Sequence, residues 1–470
     1  MDYASLGFRC GLEIHQQLEG KKLFCDCPTI IRKDKPDFRI MRRLRASAGE
    51  TGEIDQAAVH EQKKQKYFIY QGYDDSTCLV ETDEEPPHGL NQEALKTALQ
   101  VCKLLNAKPV EKLFFMRKTV IDGSNTSGFQ RTALLARNGF VEVDGRRIGI
   151  PTVCLEEEAC QVIERNEEFD VYNLSRLGIP LIEIATDPDI TSAEECMAVA
   201  ARLGMILRSV AGMKRGIGSI RQDVNVSIKG GARTEIKGFQ EIRSIPKVIE
   251  HEIERQLRSI KKGKKIEKEV RKAEPDMTTS FLRPMPGAAR MYPETDVPVI
   301  DVSRIKVEAA ELLDDKIQRI SKTLSIPKEL VTKLVKKQID IEGYAKKYPG
   351  VKALFIAETL FNTPKEIRKR FNVEMDVLPH VDEVFARLNE GRIPPAAVID
   401  ILVSLGKGEK VDYKKFAVAD DAEIEKIVRH VIAKNKDAPV GALMGMAMKE
   451  LKGKADGRKV MELLKKNREK

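Results

Sequence analysis

The sequence lacks the features that would place it in a membrane or on an export route. It has no run of about eighteen apolar residues, which excludes an ordinary membrane-spanning helix. It has no signal-peptide pattern in its first residues, so we expect a cytoplasmic enzyme with no membrane partner. Neither of its two glycine-containing basic loops, residues 117–131 and 212–219, is a Walker motif, so spacing alone favours ordinary surface loops.

Size and charge set broad limits on the protein. With 470 residues the chain is too long for one ordinary hydrophobic core, and we expect two to four domains. The net charge of +9 is the small excess of 81 basic over 72 acidic residues. Such a surface suits a polyanion such as RNA, but an ordinary solvated surface explains it equally well.

Cysteine is present but does not suggest disulfides, because a cytosolic protein keeps its thiols reduced. The eight cysteines are at positions 10, 25, 27, 78, 102, 154, 160 and 196. The last four lie in apolar or strand-like stretches, where we expect them to be buried small hydrophobes. By contrast, Cys25, Cys27 and Cys78, with Asp75, could offer three thiolates and one carboxylate to zinc.

Charged residues recur inside short alternating stretches near the N-terminus. In residues 11–18, Glu13 and His15 alternate with Leu12 and Ile14, so a strand here would place a carboxylate and an imidazole on one face. Oxygen and nitrogen ligands side by side form half of a divalent-metal site. A solvated strand face would show the same pattern, so the pair alone does not decide between the two.

Further polar strands follow and favour the metal interpretation. Residues 155–159 contain three successive glutamates, of which at least one must face opposite to its neighbours. An isolated Glu183 lies in the aliphatic stretch 180–185 and needs a partner if that strand is internal. Residues 219–228 and 232–238 also alternate. These strands predict an α+β cradle domain with a mixed or antiparallel sheet, polar on its concave side and covered by helices on the other.

Two loops and two helices complete the N-terminal part. Residues 117–131 and 212–219 carry glycine and basic side chains and could bind phosphate, although ordinary surface loops are the alternative. Residues 91–106 read as a helix capped by Asn91. Thr191 or Ser192 opens a second helix, with Glu194 or Glu195 completing a capping box.

The pattern becomes helical from about residue 307. A helix is predicted to start at Thr363, with Thr363 as the cap. A proline follows it directly, and a glutamate lies three residues after it. Residues 406–415 read as a linker, and residues 416–470 as a small helical module. The stretch 449–470 contains nine Lys or Arg and four Asp or Glu, so it could contact phosphates.

Eight segments together resemble one protein family, the GatB/GatE family, whose members are the tRNA-binding subunits of glutamyl-tRNA(Gln) amidotransferases. The archaeal GatE branch is favoured by IDGSNTSGFQRT and PMPGAARMYPETD, and the last segment resembles the YqeY-like tail of the family. The segments are residues 11–18, 117–140, 155–159, 174–190, 219–228, 234–242, 281–298 and 442–464.

The resemblance implies a reaction. ATP would phosphorylate the γ-carboxylate of glutamate misacylated onto tRNA(Gln), and ammonia would displace phosphate to give Gln-tRNA(Gln). We find no amidase signature of the Ser-Ser-Lys or Thr-Lys type, which favours an external ammonia source. The implied partners are therefore tRNA and a GatD-like amidase or asparaginase-like subunit, in a heterotetramer.

The resemblance also implies a site. It would use His15, Glu157 and Glu183 as ligands of Mg²⁺ (or Mn²⁺), with Glu13 and Asp223 near a second ion. For nucleotide contacts we assign Ser219, Arg221 and Lys237. The zinc pattern of some relatives is degenerate here, because Asp75 replaces a fourth cysteine beside Cys25, Cys27 and Cys78.

The implied domains are a cradle over residues 1–303, an all-helical domain over residues 304–408 and the tail over residues 416–470. One departure is notable: residues 256–280 leave no room for the inserted domain, similar to one in bacterial-type aspartyl-tRNA synthetases, that GatE proteins usually carry. Two alternatives remain. One is a GatB-type subunit that also acts on Asp-tRNA(Asn), and the other is a non-catalytic RNA-binding scaffold.

Overall fold

The chain folds into two units of different secondary structure, residues 1–313 and residues 314–470. The first, the sheet unit, holds the strands, and the second, the helical unit, consists of helices and short turns. The computed structural model describes residues 1–46, 48, 52–54, 56–239, 241–285, 291–419, 421–435, 438–451, 455 and 457–468.

Seventeen strands are found among the described residues. They are β1 Arg9–Gln17, β2 Phe38–Arg42, β3 Tyr67–Gly72, β4 Lys108–Pro109, β5 Lys112–Leu113, β6 Phe115–Thr119, β7 Phe129–Val143, β8 Arg146–Glu157, β9 Gln161–Arg165, β10 Phe169–Asn173, β11 Pro180–Ala185, β12 Ile220–Ser227, β13 Thr234–Lys237, β14 Glu269–Ala273, β15 Thr279–Pro284, β16 Met291–Pro293 and β17 Ile300–Asp301.

The helices among the described residues are few in the sheet unit and many after it. Those of the sheet unit are α1 Gln56–Gln62, α2 Gln92–Leu104, α3 Ala193–Ser209 and α4 Ile245–Lys261. From residue 313 onward they are α5 Leu313–Leu324, α6 Lys328–Lys336, α7 Ile341–Lys347, α8 Ala353–Phe361, α9 Thr363–Phe371, α10 Leu378–Asn389, α11 Val398–Gly406, α12 Asp421–Lys434, α13 Val440–Glu450 and α14 Gly457–Arg468.

The main sheet has eleven strands, in the order β15-β14-β13-β12-β1-β11-β8-β7-β6-β16, with β4 paired to β7. Its pairs are antiparallel except for β13 with β14. The first strand of the chain therefore lies in the middle of the sheet, hydrogen-bonded on both sides. A smaller sheet has the order β2-β3-β10-β9, and β17 pairs with β5.

One face of the main sheet is covered by helices. Leu12 and Ile14 of β1 are fully buried in a hydrophobic core that also contains residues of α2, α3 and α4. Because side chains alternate along a strand, burial of these aliphatic residues leaves the charged positions between them on the opposite face. The predicted α+β class, with a mixed sheet followed by helices, is confirmed.

The helix starts test the capping predictions. Asn91 accepts hydrogen bonds from the backbone of Glu93 and Ala94, which confirms it as the cap of α2. Ser192 caps α3 by accepting from the backbone of Glu195. Thr363 is not a cap: it is the first residue of α9. The cap position belongs to Asn362, which makes no side-chain bond, because α8 ends only one residue earlier and keeps Asn362 in helical conformation.

The end of the chain has a hydrophobic core of its own. Ile424, Val428 and Val431 of α12 are buried against residues of α13 and α14. Between Gly406 and α12 the structure shows a short 3₁₀ turn, Tyr413–Phe416, in a segment predicted to be a linker. Part of the predicted segment 281–298, residues 286–290, lies outside the described residues.

Candidate active site

Three neighbouring strands in the middle of the main sheet direct their charged residues to one face. Glu183 of β11 lies directly opposite His15 of β1, and Asp223 of β12 lies opposite Glu13. These residues alternate with aliphatic neighbours that are buried beneath the helices. We call the surface that carries them the polar face.

A first acidic cluster lies on this face around His15. The Nε2 atom of His15 is 3.2 Å from Glu183 Oε2. Glu156 of β8 completes the cluster, since one ligand atom from each of the three residues lies within 4.8 Å of the other two. Lys118 Nζ donates to Glu156 Oε1 at 2.8 Å and lies 3.8 Å from Glu183 Oε2. The cluster therefore combines one nitrogen and two carboxylate ligands beside a cation.

Glu157 does not join this cluster. It follows Glu156 directly in β8 and so points to the opposite face. There its Oε2 is 3.3 Å from Arg131 Nη1, and Arg131 also donates from Nε to Glu294 at 2.8 Å. The structure therefore groups Glu156, and not Glu157, with the predicted ligands His15 and Glu183.

A second acidic cluster consists of Glu13, Asp223 and Glu235, whose ligand atoms also lie within 4.8 Å of one another. Glu235 of β13 was not among the predicted site residues. The ammonium of Lys237 lies 2.5 Å from one carboxylate oxygen of Asp223 and 2.5 Å from one of Glu235. Asn225 donates from Nδ2 to Glu13 Oε1 at 3.1 Å. These contacts position three carboxylates next to the first cluster.

The charges on the polar face shift the pKa values of its own titratable side chains. Burial alone lowers the pKa of His15, but the hydrogen bond and charge of Glu183 outweigh it and raise that pKa. Burial raises the pKa of Glu183, yet the bond from His15 and the charge of Lys118 bring it well below its ordinary value. Burial, with the charge of Glu235, raises the pKa of Glu13. The face thus holds an ionised carboxylate beside a more basic imidazole.

The predicted nucleotide contacts lie on and beside the polar face. Arg221 of β12 donates from Nη2 to both carboxylate oxygens of the buried Glu158, at 2.8 and 2.7 Å. Ser219 donates from its hydroxyl to Gly216 O at 2.8 Å. Lys237 is held by the second acidic cluster, whose charges raise its pKa against the effect of burial. All three side chains are therefore anchored by the protein itself.

The two predicted phosphate loops lie in different places. The loop 117–131 is fastened to the smaller sheet, where the hydroxyl of Tyr70 donates to Gly123 O at 2.8 Å. The loop 212–219 is fastened to the end of β1, because the backbone of Gln17 both donates to and accepts from it at 2.9 Å. The second loop therefore borders the polar face.

A third group of ligand atoms lies apart from these acidic clusters. Cys25, Cys27, Cys78 and Glu81 each offer one atom within 4.8 Å of the others. The Cys25 thiol donates to Glu81 Oε1 at 2.9 Å, and Glu81 Oε2 accepts from the backbone of Cys78 at 2.8 Å. The neighbouring Cys25 and Cys27 side chains lower the pKa of Cys78, which favours a thiolate at that position.

Asp75 is not the fourth member of this group. Its carboxylate forms an ion pair with Arg32 and is largely exposed. Glu81 takes its place, because residues 76–84 turn back on themselves and bring its carboxylate over the thiols. The structure therefore brings the three cysteines together with Glu81 and not with Asp75, and zinc binding there stays a prediction.

Sequence reasoning missed four acidic residues that the fold brings to these sites: Glu81, Glu156, Glu158 and Glu235. Two of them, Glu156 and Glu158, lie within the run of three successive glutamates, where strand alternation offered a signal. Glu235 lies on the predicted alternating strand 232–238, and only its pairing with β12 places it beside Asp223. Glu81 follows Cys78 by three residues, a spacing that offered a signal, while Cys25 and Cys27 are distant in sequence.

A family described as the GatB/GatE catalytic domain matches residues 8–308, and one described as the GatB domain matches residues 365–467. The chain is 36% identical to the E subunit of the glutamyl-tRNA(Gln) amidotransferase of Methanococcus maripaludis strain C7, an alignment that spans 99% of this chain and 98% of that protein. The corresponding protein of Archaeoglobus fulgidus is 37% identical, spanning 99% and 98%.

The corresponding protein of Methanocaldococcus jannaschii is 36% identical, over 99% of each chain. The alignment with the Methanococcus protein has 622 positions and this chain has 470 residues, so at least 152 positions (622 minus 470) face no residue of this chain. This difference agrees with the expected lack of an inserted domain. Among the described residues, no helix is long and apolar enough to cross a membrane.

Proposed function

The chain belongs to the GatB/GatE family, and from this we propose that it is the tRNA-dependent amidotransferase subunit that converts Glu-tRNA(Gln) to Gln-tRNA(Gln) with ATP and ammonia. The observation that carries the proposal is the pair of acidic clusters on the polar face, which hold five carboxylates and one imidazole together. A scaffold without catalytic activity would have no need of so many buried and half-buried acidic groups in one place.

Two chemical steps are needed. Ammonia does not displace an oxygen from a carboxylate, because the leaving group would be too basic. Transfer of the γ-phosphoryl group of ATP to the γ-carboxylate of the glutamyl residue makes phosphate the leaving group. The nitrogen lone pair of ammonia then attacks the carbonyl carbon, the C–O bond to phosphate breaks, and a proton is lost to give the amide. The acyl phosphate also hydrolyses, so water must be excluded.

Divalent cations fit the donor sets of the polar face. His15, Glu156 and Glu183 form one set and Glu13, Asp223 and Glu235 the other. Carboxylate oxygens suit Mg²⁺, while the imidazole also admits Mn²⁺. Such an ion would neutralise charge on the phosphates of ATP during transfer. The residues themselves hold the set in place: Lys118 orients Glu156, and Lys237 fixes Asp223 and Glu235.

We assign nucleotide binding to Ser219, Arg221 and Lys237. Arg221 forms an ion pair with Glu158, and 42% of its side chain remains exposed. Its guanidinium can therefore still approach a phosphate. The loop 212–219 next to it supplies further backbone N–H groups. These assignments use groups that the protein already positions, which reduces the ordering cost of binding.

The partners are tRNA and a second protein that releases ammonia. An ammonia source outside this chain, of the asparaginase-like GatD type, in a heterotetramer, agrees with the lack of an amidase signature in the sequence. We retain the division into a cradle (1–303), a helical domain (304–408) and a tail (416–470), and assign a phosphate contact to the basic end of the tail. That contact would be electrostatic and therefore sensitive to salt.

A structural zinc site is proposed at Cys25, Cys27, Cys78 and Glu81. Three thiols and one carboxylate at mutual distances within 4.8 Å are a suitable tetrahedral donor set. The site would join the turn at residues 22–27 to the turn at residues 76–81. It lies outside the two acidic clusters and takes no part in the reaction steps above.

The proposed function is tested by incubating the purified chain with ATP, Mg²⁺ and ammonium, with Glu-tRNA(Gln) and Asp-tRNA(Asn) in parallel. We expect Gln-tRNA(Gln) only. Formation of Asn-tRNA(Asn) would support the GatB-type alternative, which fits the length of the chain but not its GatE-type segments. Binding of tRNA without either product, under conditions where the partner protein is also supplied, would support the scaffold.

A further inference from the structure

Lys22 is a lysine whose side chain is completely buried, with 0% exposure. Its Nζ donates to Ser76 O at 2.7 Å and to Leu174 O at 3.3 Å. The carboxylate that pairs with it is that of Glu81, whose Oε1 lies 3.6 Å away. Lysine is almost never fully buried without a paired charge, since removing an ammonium from water is costly. Its burial here therefore requires negative charge nearby.

The carboxylate that faces Lys22 is the one that faces the thiols. Glu81 Oε1 lies between the Lys22 ammonium and the Cys25 sulfur, at 3.6 and 2.9 Å. Glu81 Oε2 is held by the backbone N–H of Cys78. The lysine is therefore in the second layer around the proposed zinc ligands and would act through Glu81.

The net charge of the proposed zinc site explains the role of Lys22. Three thiolates and one carboxylate carry four negative charges, and a divalent ion neutralises two of them. The remaining two negative charges would lie among buried groups, since Cys25 and Glu81 are both buried. We propose that Lys22 is the built-in counter-ion of this metal site and a positioning residue that holds Glu81 as a zinc ligand. This inference rests on the zinc site proposed above.

The packing around Lys22 keeps its ammonium in place. Gly178, with φ +79°, lies directly against it: a Cβ there would be 3.5 Å from Lys22 Cδ and 3.4 Å from Glu81 Oε1. The carbonyl of Gly178 accepts from the backbone of Leu23 at 2.8 Å. Backbone of residue 178 therefore lies against the lysine, whose side chain is fully buried. The adjacent Lys21 is exposed and pairs with Asp26 instead.

The test is the zinc affinity of the full-length chain, measured by competition with a chromophoric chelator. Lys22→Met removes the charge and keeps the length of the side chain, and we expect it to weaken zinc binding by roughly 10- to 100-fold, the usual range for groups behind the ligands. Lys21→Met is the matched control, with unchanged affinity. Glu81→Gln removes a proposed ligand and should itself weaken zinc binding. Because Lys22 acts through Glu81, adding Lys22→Met to it, in the double variant Lys22→Met/Glu81→Gln, should weaken binding by a smaller factor than Lys22→Met does in the wild-type chain.

The outcomes separate the two proposals. If the wild-type chain takes up no zinc, the metal site and the role of Lys22 both fail. If it binds zinc and Lys22→Met binds equally well, or if the effects in the double variant simply add, only the role of Lys22 fails. Should Lys22→Met not fold, the double variant decides: a folded, zinc-binding protein supports charge compensation, and an unfolded one shows that Lys22 acts through packing alone. Cobalt(II) bound in place of zinc should show thiolate charge-transfer bands in the wild type and the double variant.

Discussion

The neighbouring residues Glu156 and Glu157 are predicted to respond differently to the same substitution. Glu156→Gln removes a charged ligand atom from the cluster with His15 and Glu183. Changes behind metal ligands cost roughly 10- to 100-fold in affinity, so loss of a direct carboxylate should cost at least about 100-fold. We therefore expect the Mg²⁺ concentration for half-maximal Gln-tRNA formation to rise by about that factor, with tRNA affinity unchanged. Glu183→Gln should behave in the same way.

Glu157→Gln should instead affect the folded state. Its Oε2 lies 3.3 Å from Arg131 Nη1, which gives a Coulomb attraction of about 5 kcal/mol at an effective dielectric constant of about 20. Desolvation of the two groups offsets much of this. Arg131 also keeps Glu294 at 2.8 Å in the variant. We expect the free energy of unfolding to fall by about 1–3 kcal/mol, with the same Mg²⁺ requirement as the wild type.

The assay is the initial rate of Gln-tRNA formation with ATP and ammonium across a Mg²⁺ titration, together with urea unfolding of each variant. The two substitutions are matched in chemistry and lie one residue apart on β8. If Glu157→Gln raised the Mg²⁺ requirement while Glu156→Gln did not, the assignment from strand geometry would be refuted and the ligand set implied by family resemblance would stand.

Further predictions concern the pH dependence of stability, the C-terminal tail and the source of ammonia. In metal-free protein, the stabilisation from the raised pKa of His15 is complete below about pH 6.5 and lost as pH rises, while that from the lowered pKa of Glu183 is complete above about pH 4.5 and lost as pH falls. His15→Gln should therefore destabilise the protein more at pH 5.5 than at pH 8.5 in urea unfolding, and equal losses would contradict the pairing. Truncation before about residue 420 should weaken tRNA binding and flatten its salt dependence, and unchanged affinity would exclude the tail as a contact. The isolated chain should hydrolyse neither asparagine nor glutamine, and release of ammonia from either would overturn the proposed partner protein.

Local patterns in the sequence were sufficient to predict features that depend on a single helix or strand. The alternation in residues 219–228 gave the correct faces of β12, because a strand buried on one side has a period of two. The isolated Glu183 was expected to need a partner if its strand were internal, and His15 provides it from the neighbouring strand. The α+β class followed from the same patterns.

Local patterns could not decide which of several adjacent residues faces the site, because that depends on how the strand pairs with its neighbours. Residues 156–158 all carry carboxylates, and only the pairing of Cys154 with Glu183 determines which of them shares a face with His15. Asp75 appeared suitable for zinc in the sequence, but Arg32, far away in the chain, forms an ion pair with it. Such long-range competition leaves no trace in local spacing.

The most direct measurement is the fate of oxygen in the glutamyl carboxylate. Glu-tRNA(Gln) labelled with ¹⁸O in its γ-carboxylate is converted with ATP, Mg²⁺ and ammonium, and the inorganic phosphate is analysed by mass spectrometry. If phosphorylation activates the carboxylate, one labelled oxygen is transferred to phosphate for each Gln-tRNA formed. Phosphate without ¹⁸O, at full conversion to Gln-tRNA, would contradict the proposed reaction.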